Sequence, residues 1–118
     1  YNVDPKRVYL TGISMGGYGA WDFASRYPEY FAAVAPICGG GIPRLAGRLK
    51  DIPVWTFHGL KDDAVPEQES ARMVQALEAQ GGKVKYTVLP EAGHIEAWVY
   101  AYGVAGLFDW FAQQRRPD

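Results

Sequence analysis

The stretch "VYLTGISMGGYGAW", Val8 to Trp21, decides the reading of the chain, because it passes from strand-like to helix-like sequence across a single serine, Ser14. Upstream, Arg7 to Thr11 is a short run rich in β-branched and aromatic residues, preceded by the breaker pair Asp4-Pro5. Downstream, Tyr18, Trp21, Phe23, Ala24 and Tyr27 recur at roughly helical spacing until Pro28 ends the pattern. The order is strand, glycine turn, helix.

The alternation continues along the chain. Ala32 to Ile37 is a second apolar run, ended by Gly39-Gly40-Gly41, and "RLAGRLKD" (44–51) reads as a short helix. Pro53 to Phe57 forms a third strand, followed by a polar loop and a helical segment, "PEQESARMVQALEAQGG" (66–82), closed by Gly81-Gly82. Val84 to Leu89 alternates apolar and polar residues as a fourth strand, and a long helix is expected from about Ile95 to Gln114. Strands alternating with helices predict an α/β fold: about four parallel strands with helices on both faces and right-handed crossovers. With 118 residues, no repeat and no linker, residues 1–118 are expected to form a single domain.

Composition narrows the function classes. Hydrophobic residues make up 48% and aromatic residues 14%, as in a globular chain. Twelve Lys and Arg against thirteen Asp and Glu leave a net charge of -1, with no basic run long enough to track phosphates, so nucleic acid is not an expected partner. Cys38 is the single cysteine, which excludes an internal disulfide and leaves no cysteine-based metal site to be assembled from one chain; it reads as a buried, inert thiol. No signal-peptide pattern and no apolar run of bilayer-spanning length is present.

Gly12-Ile13-Ser14-Met15-Gly16 matches G-x-S-x-G. Between a strand and a helix, that pattern is a nucleophile elbow: the serine sits in a strained turn, and Gly12 and Gly16 remove clashes that flanking side chains would make. The backbone N–H of Met15, at the helix start, then lies near the hydroxyl as an oxyanion donor, helped by the helix dipole. The competing reading makes Ser14 a helix N-cap, which needs no flanking glycine.

A serine hydroxyl needs a base and a group that orients the base. The two histidines stand in "TFHGLKDDAVP" (His58) and "LPEAGHIEAW" (His94), and the first of these segments also holds Asp62 and Asp63. Both segments follow predicted strands, which brings them to the same carboxyl edge of the sheet as Ser14. Serine, aspartate and His94 follow one another in the chain order of the α/β-hydrolase triad.

With "DPKRVYLTGISMGGYGAW", "FHGLKDDAVP" and "PEAGHIEAW", the chain resembles the C-terminal half of α/β-hydrolases, and most of all esterases of the dienelactone-hydrolase, phospholipase/carboxylesterase and feruloyl-esterase-like groups. That resemblance implies Asp62 as the triad acid, His94 as general base and His58 as a structural histidine. It implies a serine esterase for short acyl or aryl esters, working through an acyl-enzyme without cofactor or metal. A histidine base implies activity that falls below roughly pH 6 to 7. In many relatives a tryptophan follows the histidine by three residues; here Trp98 follows His94 by four.

The resemblance also implies a truncated fold, holding strands that correspond to the fifth to eighth of the family and lacking the loop that carries a second oxyanion donor. Two expectations follow. The first strand becomes an open edge, and the last helix, with Trp98, Tyr100, Tyr102, Leu107, Phe108, Trp110 and Phe111, carries too many apolar residues for one stripe. A homodimer or higher oligomer is therefore expected to bury them. A membrane partner is not, since the polar face of that helix has few basic residues. The alternative function is a catalytically weak or inactive remnant that acts by self-association or with an N-terminal partner.

Overall fold

The computed structural model describes residues 3–117. Four segments pair as one parallel sheet in chain order: β1 (Tyr9–Ile13), β2 (Ala33–Ile37), β3 (Val54–Gly59) and β4 (Val84–Leu89). The helices are α1 (Met15–Arg26), α2 (Gln68–Ala79), α3 (His94–Gly103) and α4 (Leu107–Ala112), with short 3₁₀ turns at Pro28–Tyr30 and Pro43–Leu49. The predicted α/β class and parallel sheet are therefore present. β1 runs two residues beyond its predicted end and β3 extends through His58 and Gly59, because the parallel ladders carry pairing to Ile13↔Ile37 and Gly59↔Leu89.

Strand alternation builds the two cores. On one face Val34 and Val54 pack with Ala20, Trp21 and Ala24 of α1 and with Met73 and Leu77 of α2. On the other, Ala33, Ala35, Ile37, Trp55 and Phe57 pack beneath Ala97 and Ala101 of α3 and Leu107 and Phe111 of α4. The central strands are buried on both faces, as parallel strands are when helices cover each side. β1, at the edge, is only partly buried along its whole length.

The aromatic stripe expected on α1 splits. Trp21 enters the core, whereas Phe23 and Tyr27 stay exposed and pack on one another with ring centroids 5.0 Å apart. Small residues, Gly17, Ala20, Ala24 and Ser25, fill the rest of the buried face, letting the helix lie close to the sheet. A Cβ on Gly17 would stand 2.5 Å from the Ile37 carbonyl oxygen.

The single long terminal helix expected from the sequence is two helices. The N–H groups of Val104 and Ala105 both turn back to the Tyr100 carbonyl, at 2.9 and 3.0 Å, which closes α3. Gly106, at φ 79, then reverses the chain, and Trp110 N–H donates to its carbonyl to start α4. The break re-aims the apolar positions: Leu107 and Phe111 face the sheet, while Phe108 is left in solvent.

A side chain at Gly106 would meet no neighbour, so the cost of substitution there is conformational. Gly106→Ala is expected to lower stability by about 1 kcal/mol through the left-handed backbone alone, read as a reduced urea midpoint with unchanged slope.

Candidate active site

Ser14 sits where β1 ends and α1 begins, at φ 55 and ψ −115, a conformation that costs a non-glycine residue about 1–3 kcal/mol. Backbone bonds on both sides hold it: Ser14 N–H donates to the Ile37 carbonyl at 2.9 Å, and Tyr18 N–H donates to the Ser14 carbonyl at 3.0 Å. Although it occupies the N-cap position of α1, its hydroxyl makes no capping bond. The side chain is thus left unused by the helix. The N–H of Met15 precedes the first i to i−4 bond of α1, so it is not consumed by the helix either.

The two glycines of the motif differ in their reasons. A Cβ on Gly12 would lie 2.3 Å from the Gly16 carbonyl oxygen, so the strand can pass the helix start only as glycine. A Cβ on Gly16 would meet nothing within 4 Å. The expectation that Gly16 relieves a clash is therefore corrected: of the glycines at this turn, Gly12 and Gly17 are the tight ones, and Gly16 faces open space.

Asp62 and His94 come from different loops that the backbone ties together. Leu60 N–H donates to Leu89 O and Lys61 N–H to Ala92 O, both at 3.0 Å, and a Cβ on Gly59 would strike Ala92 O at 2.2 Å. The turn after β3 and the turn after β4 are in contact at that glycine. Asp62 Oδ1 accepts the N–H groups of Ala64 and Val65 at 2.9 and 2.8 Å, which fixes its carboxylate. Its Oδ2 lies 2.6 Å from His94 Nδ1, and the Asp62 side chain has no exposed surface.

An ionised carboxylate only accepts, so Nδ1 carries the imidazole proton and Nε2 keeps its lone pair. No protein group bonds that Nε2 among the described residues. Burial raises the Asp62 carboxyl, but the Val65 and Ala64 N–H groups and the His94 imidazole outweigh it and hold the group below its ordinary value. Asp63, by contrast, is exposed.

His58 is enclosed. Strand alternation points it to the α2 side, where Nδ1 meets Ser70 Oγ at 2.7 Å and Nε2 meets the Val65 carbonyl at 2.8 Å, with Asp62 Oδ2 at 3.3 Å. A carbonyl accepts only, so Nε2 is protonated and points away from any lone-pair role. His58 braces the Asp62 turn. Sequence reasoning treated it as the end of a strand and could not see Ser70 as its partner, since that contact joins two elements.

Cys38 completes the neighbourhood. It ends β2 as Ser14 ends β1: φ is 54, and its N–H donates to the Phe57 carbonyl at 2.9 Å. The thiol is buried and points to the His94 carbonyl oxygen at 3.6 Å. Burial, with the Asp62 charge adding to it, pushes the thiol up to about 12, so it is protonated at neutral pH. The Ser14 hydroxyl makes no hydrogen bond to His94 among the described residues.

A strained serine at a strand-to-helix turn, on the same sheet edge as an aspartate–histidine pair, defines the class as an α/β-hydrolase fold. Among solved structures it is similar to the crystal structure of a thermostable esterase, matched at TM-score 0.92 and 41% identity over 98% of this chain and 33% of that one. The dienelactone hydrolase family profile matches residues 1–97, and the chain belongs to that family. Among curated relatives, the "Putative carboxymethylenebutenolidase" of Yersinia pestis is 32% identical over 93% of this chain and 48% of its own length. A bifunctional acetylxylan esterase/xylanase of Neocallimastix patriciarum is 36% identical over 58% of this chain and 10% of its own length. The chain thus spans about half the length of the first of these relatives and far less of the second.

The Asp62 environment yields a pH-dependent stability. A carboxyl held low in the folded chain stabilises it fully above the unfolded value, about 4, and loses that contribution as pH falls through the lower folded value. Urea midpoints of the wild type and Asp62→Asn are therefore expected to differ at pH 7 and to converge below about pH 4.

Proposed function

We propose that this chain is a serine esterase that hydrolyses short acyl or aryl esters through an acyl-enzyme, with Ser14 as nucleophile, His94 as general base and Asp62 as the orienting acid. One observation carries the reading. Ser14 is held in a strained turn with its hydroxyl free of capping, at the sheet edge where Asp62 fixes His94 with its Nε2 lone pair unbonded. Backbone strain of this kind clusters at functional sites, and here it coincides with an unengaged hydroxyl.

In the proposed reaction, Ser14 Oγ attacks the ester carbonyl while His94 Nε2 takes its proton. Asp62 Oδ2, bonded to Nδ1–H, stabilises the imidazolium as it forms. The Met15 N–H and the amino end of α1 donate to the developing oxyanion. The imidazolium then protonates the leaving alcohol, and a water activated by the same Nε2 releases the acid and restores Ser14. The roles need only side chains and backbone, so no cofactor or metal is invoked. Relatives named esterase support ester chemistry as the reaction type.

Turnover of p-nitrophenyl acetate or butyrate tests this. Ser14→Ala is expected to abolish turnover and labelling by a serine-directed phosphonate, and Asp62→Asn to lower kcat by about 10⁴-fold. Asp63→Asn should retain near-normal kcat. A turnover that survives Ser14→Ala, or depends on Asp63 and not on Asp62, contradicts the assignment.

In the same reading the chain works as a homodimer or higher oligomer. Two features support it: β1 has no strand partner on its outer side among the described residues, and Val99, Tyr100, Val104 and Phe108 on and between the last helices are exposed. No helix among the described residues is long and apolar enough to cross a membrane. Sedimentation equilibrium is expected to return a multiple of the chain mass; a folded, soluble species of single-chain mass refutes the oligomer.

A further inference from the structure

We propose that Cys38, Asp62 and His94 form an inhibitory binding site for a thiophilic divalent cation, Zn²⁺ or Cd²⁺. The expectation that one cysteine leaves no cysteine-based metal site counted cysteines alone; the fold brings an aspartate and a histidine to the thiol. Because β1 and β2 run in register and end alike, with Ser14 beyond Ile13 and Cys38 beyond Ile37, the buried thiol lies at the level of the candidate site, at the end of the core that α3 covers. Its Sγ, a carboxylate oxygen of Asp62 and a ring nitrogen of His94 all lie within 4.8 Å of one another.

Zinc holds thiolate sulfur at about 2.3 Å and imidazole or carboxylate donors at about 2.0–2.2 Å, so tetrahedral donors stand roughly 3.3–3.8 Å apart. Donors that lie within 4.8 Å of one another close on an ion by a shift of about 1 Å. Three protein donors leave the fourth position to water. A thiolate in the set favours zinc and cadmium over magnesium and calcium, which prefer all-oxygen sites. Entry is past His94, the donor whose side chain keeps some exposed surface, 19% against none for Asp62.

Binding balances without redox change. The Cys38 S–H bond breaks, its proton passes to solvent and a sulfur–metal bond forms. The imidazole remains neutral, its one proton resting on whichever nitrogen the ion does not take. Either choice of nitrogen removes the base: the ion displaces Asp62 from Nδ1, or it occupies Nε2. The inhibitory effect rests on the esterase reading; the binding itself does not.

The test is a titration of the chelator-treated chain with Cd²⁺, followed by near-ultraviolet thiolate-to-cadmium absorbance and, in parallel, by p-nitrophenyl acetate turnover relative to each protein's own cation-free rate. The wild type is expected to gain the absorbance and lose turnover together, with both reversed by a chelator and neither produced by Mg²⁺. Ser14→Ala should gain the same absorbance. Cys38→Ser should lose the absorbance and need at least about tenfold more Cd²⁺ for inhibition. His94→Ala, which keeps the thiol, should bind at least about tenfold more weakly and stands in if Cys38→Ser does not fold by circular dichroism. Absence of the thiolate band in the folded wild type overturns the proposal, as does equal inhibition of folded Cys38→Ser. Absorbance in a wild type with no turnover leaves the cation site standing and refutes the esterase.

Discussion

The hydrogen bond from Ser14 N–H to the Ile37 carbonyl is the constraint on which the candidate site depends. It extends the parallel ladder one step past β1 and forces the chain to begin α1 with no room for an ordinary N-cap geometry. Ser14 is therefore at φ 55, and its hydroxyl does not fold back onto the helix. Gly12 makes this geometry fit, since any side chain there would strike the Gly16 carbonyl. Released from the ladder, Ser14 would relax to an extended backbone and cap the helix as serines commonly do. The strain is thus held by the sheet, and the sheet in turn is held by the two cores on its faces.

A second set of backbone bonds, between the turns after β3 and β4, accounts for the other half of the site. Those turns share two hydrogen bonds and a contact at Gly59 too close for any side chain. Asp62 and His94 meet because their loops are fastened before either side chain is considered. The Asp62 carboxylate then satisfies three donors at once, two backbone N–H groups and the imidazole, which keeps a shielded charge ionised. His58 supports the same turn from within the sheet, so one imidazole braces the aspartate and the other is oriented by it.

What was legible in the sequence was what depends on neighbours in the chain. The strand, glycine turn and helix around Ser14, the fourth strand at Val84–Leu89 and the parallel class all follow from short-range periodicity and breakers, and all are present. Periodicity makes the terminal helix too long, because apolar residues continue through Gly103–Gly106 and the pattern does not register a left-handed residue at Gly106. The motif overstates the role of Gly16 for the opposite reason: it names positions but not the atoms they would meet. His58 and His94 look alike in sequence. They separate only when Ser70 and Val65 enclose the first and leave Nε2 of the second unbonded.

By itself, then, the order of residues determined the element types, the parallel architecture and a short list of chemically capable groups: Ser14, two histidines and two adjacent aspartates. The tertiary structure decided which aspartate faces which histidine, that Ser14 is strained, and that Cys38 shares the level of the candidate site. The physical reason is range. Propensity and breakers act over a few residues along the chain, whereas the Asp62–His94 pair and the Ser14–Ile37 bond span 32 and 23 positions and exist only once the sheet has set its register.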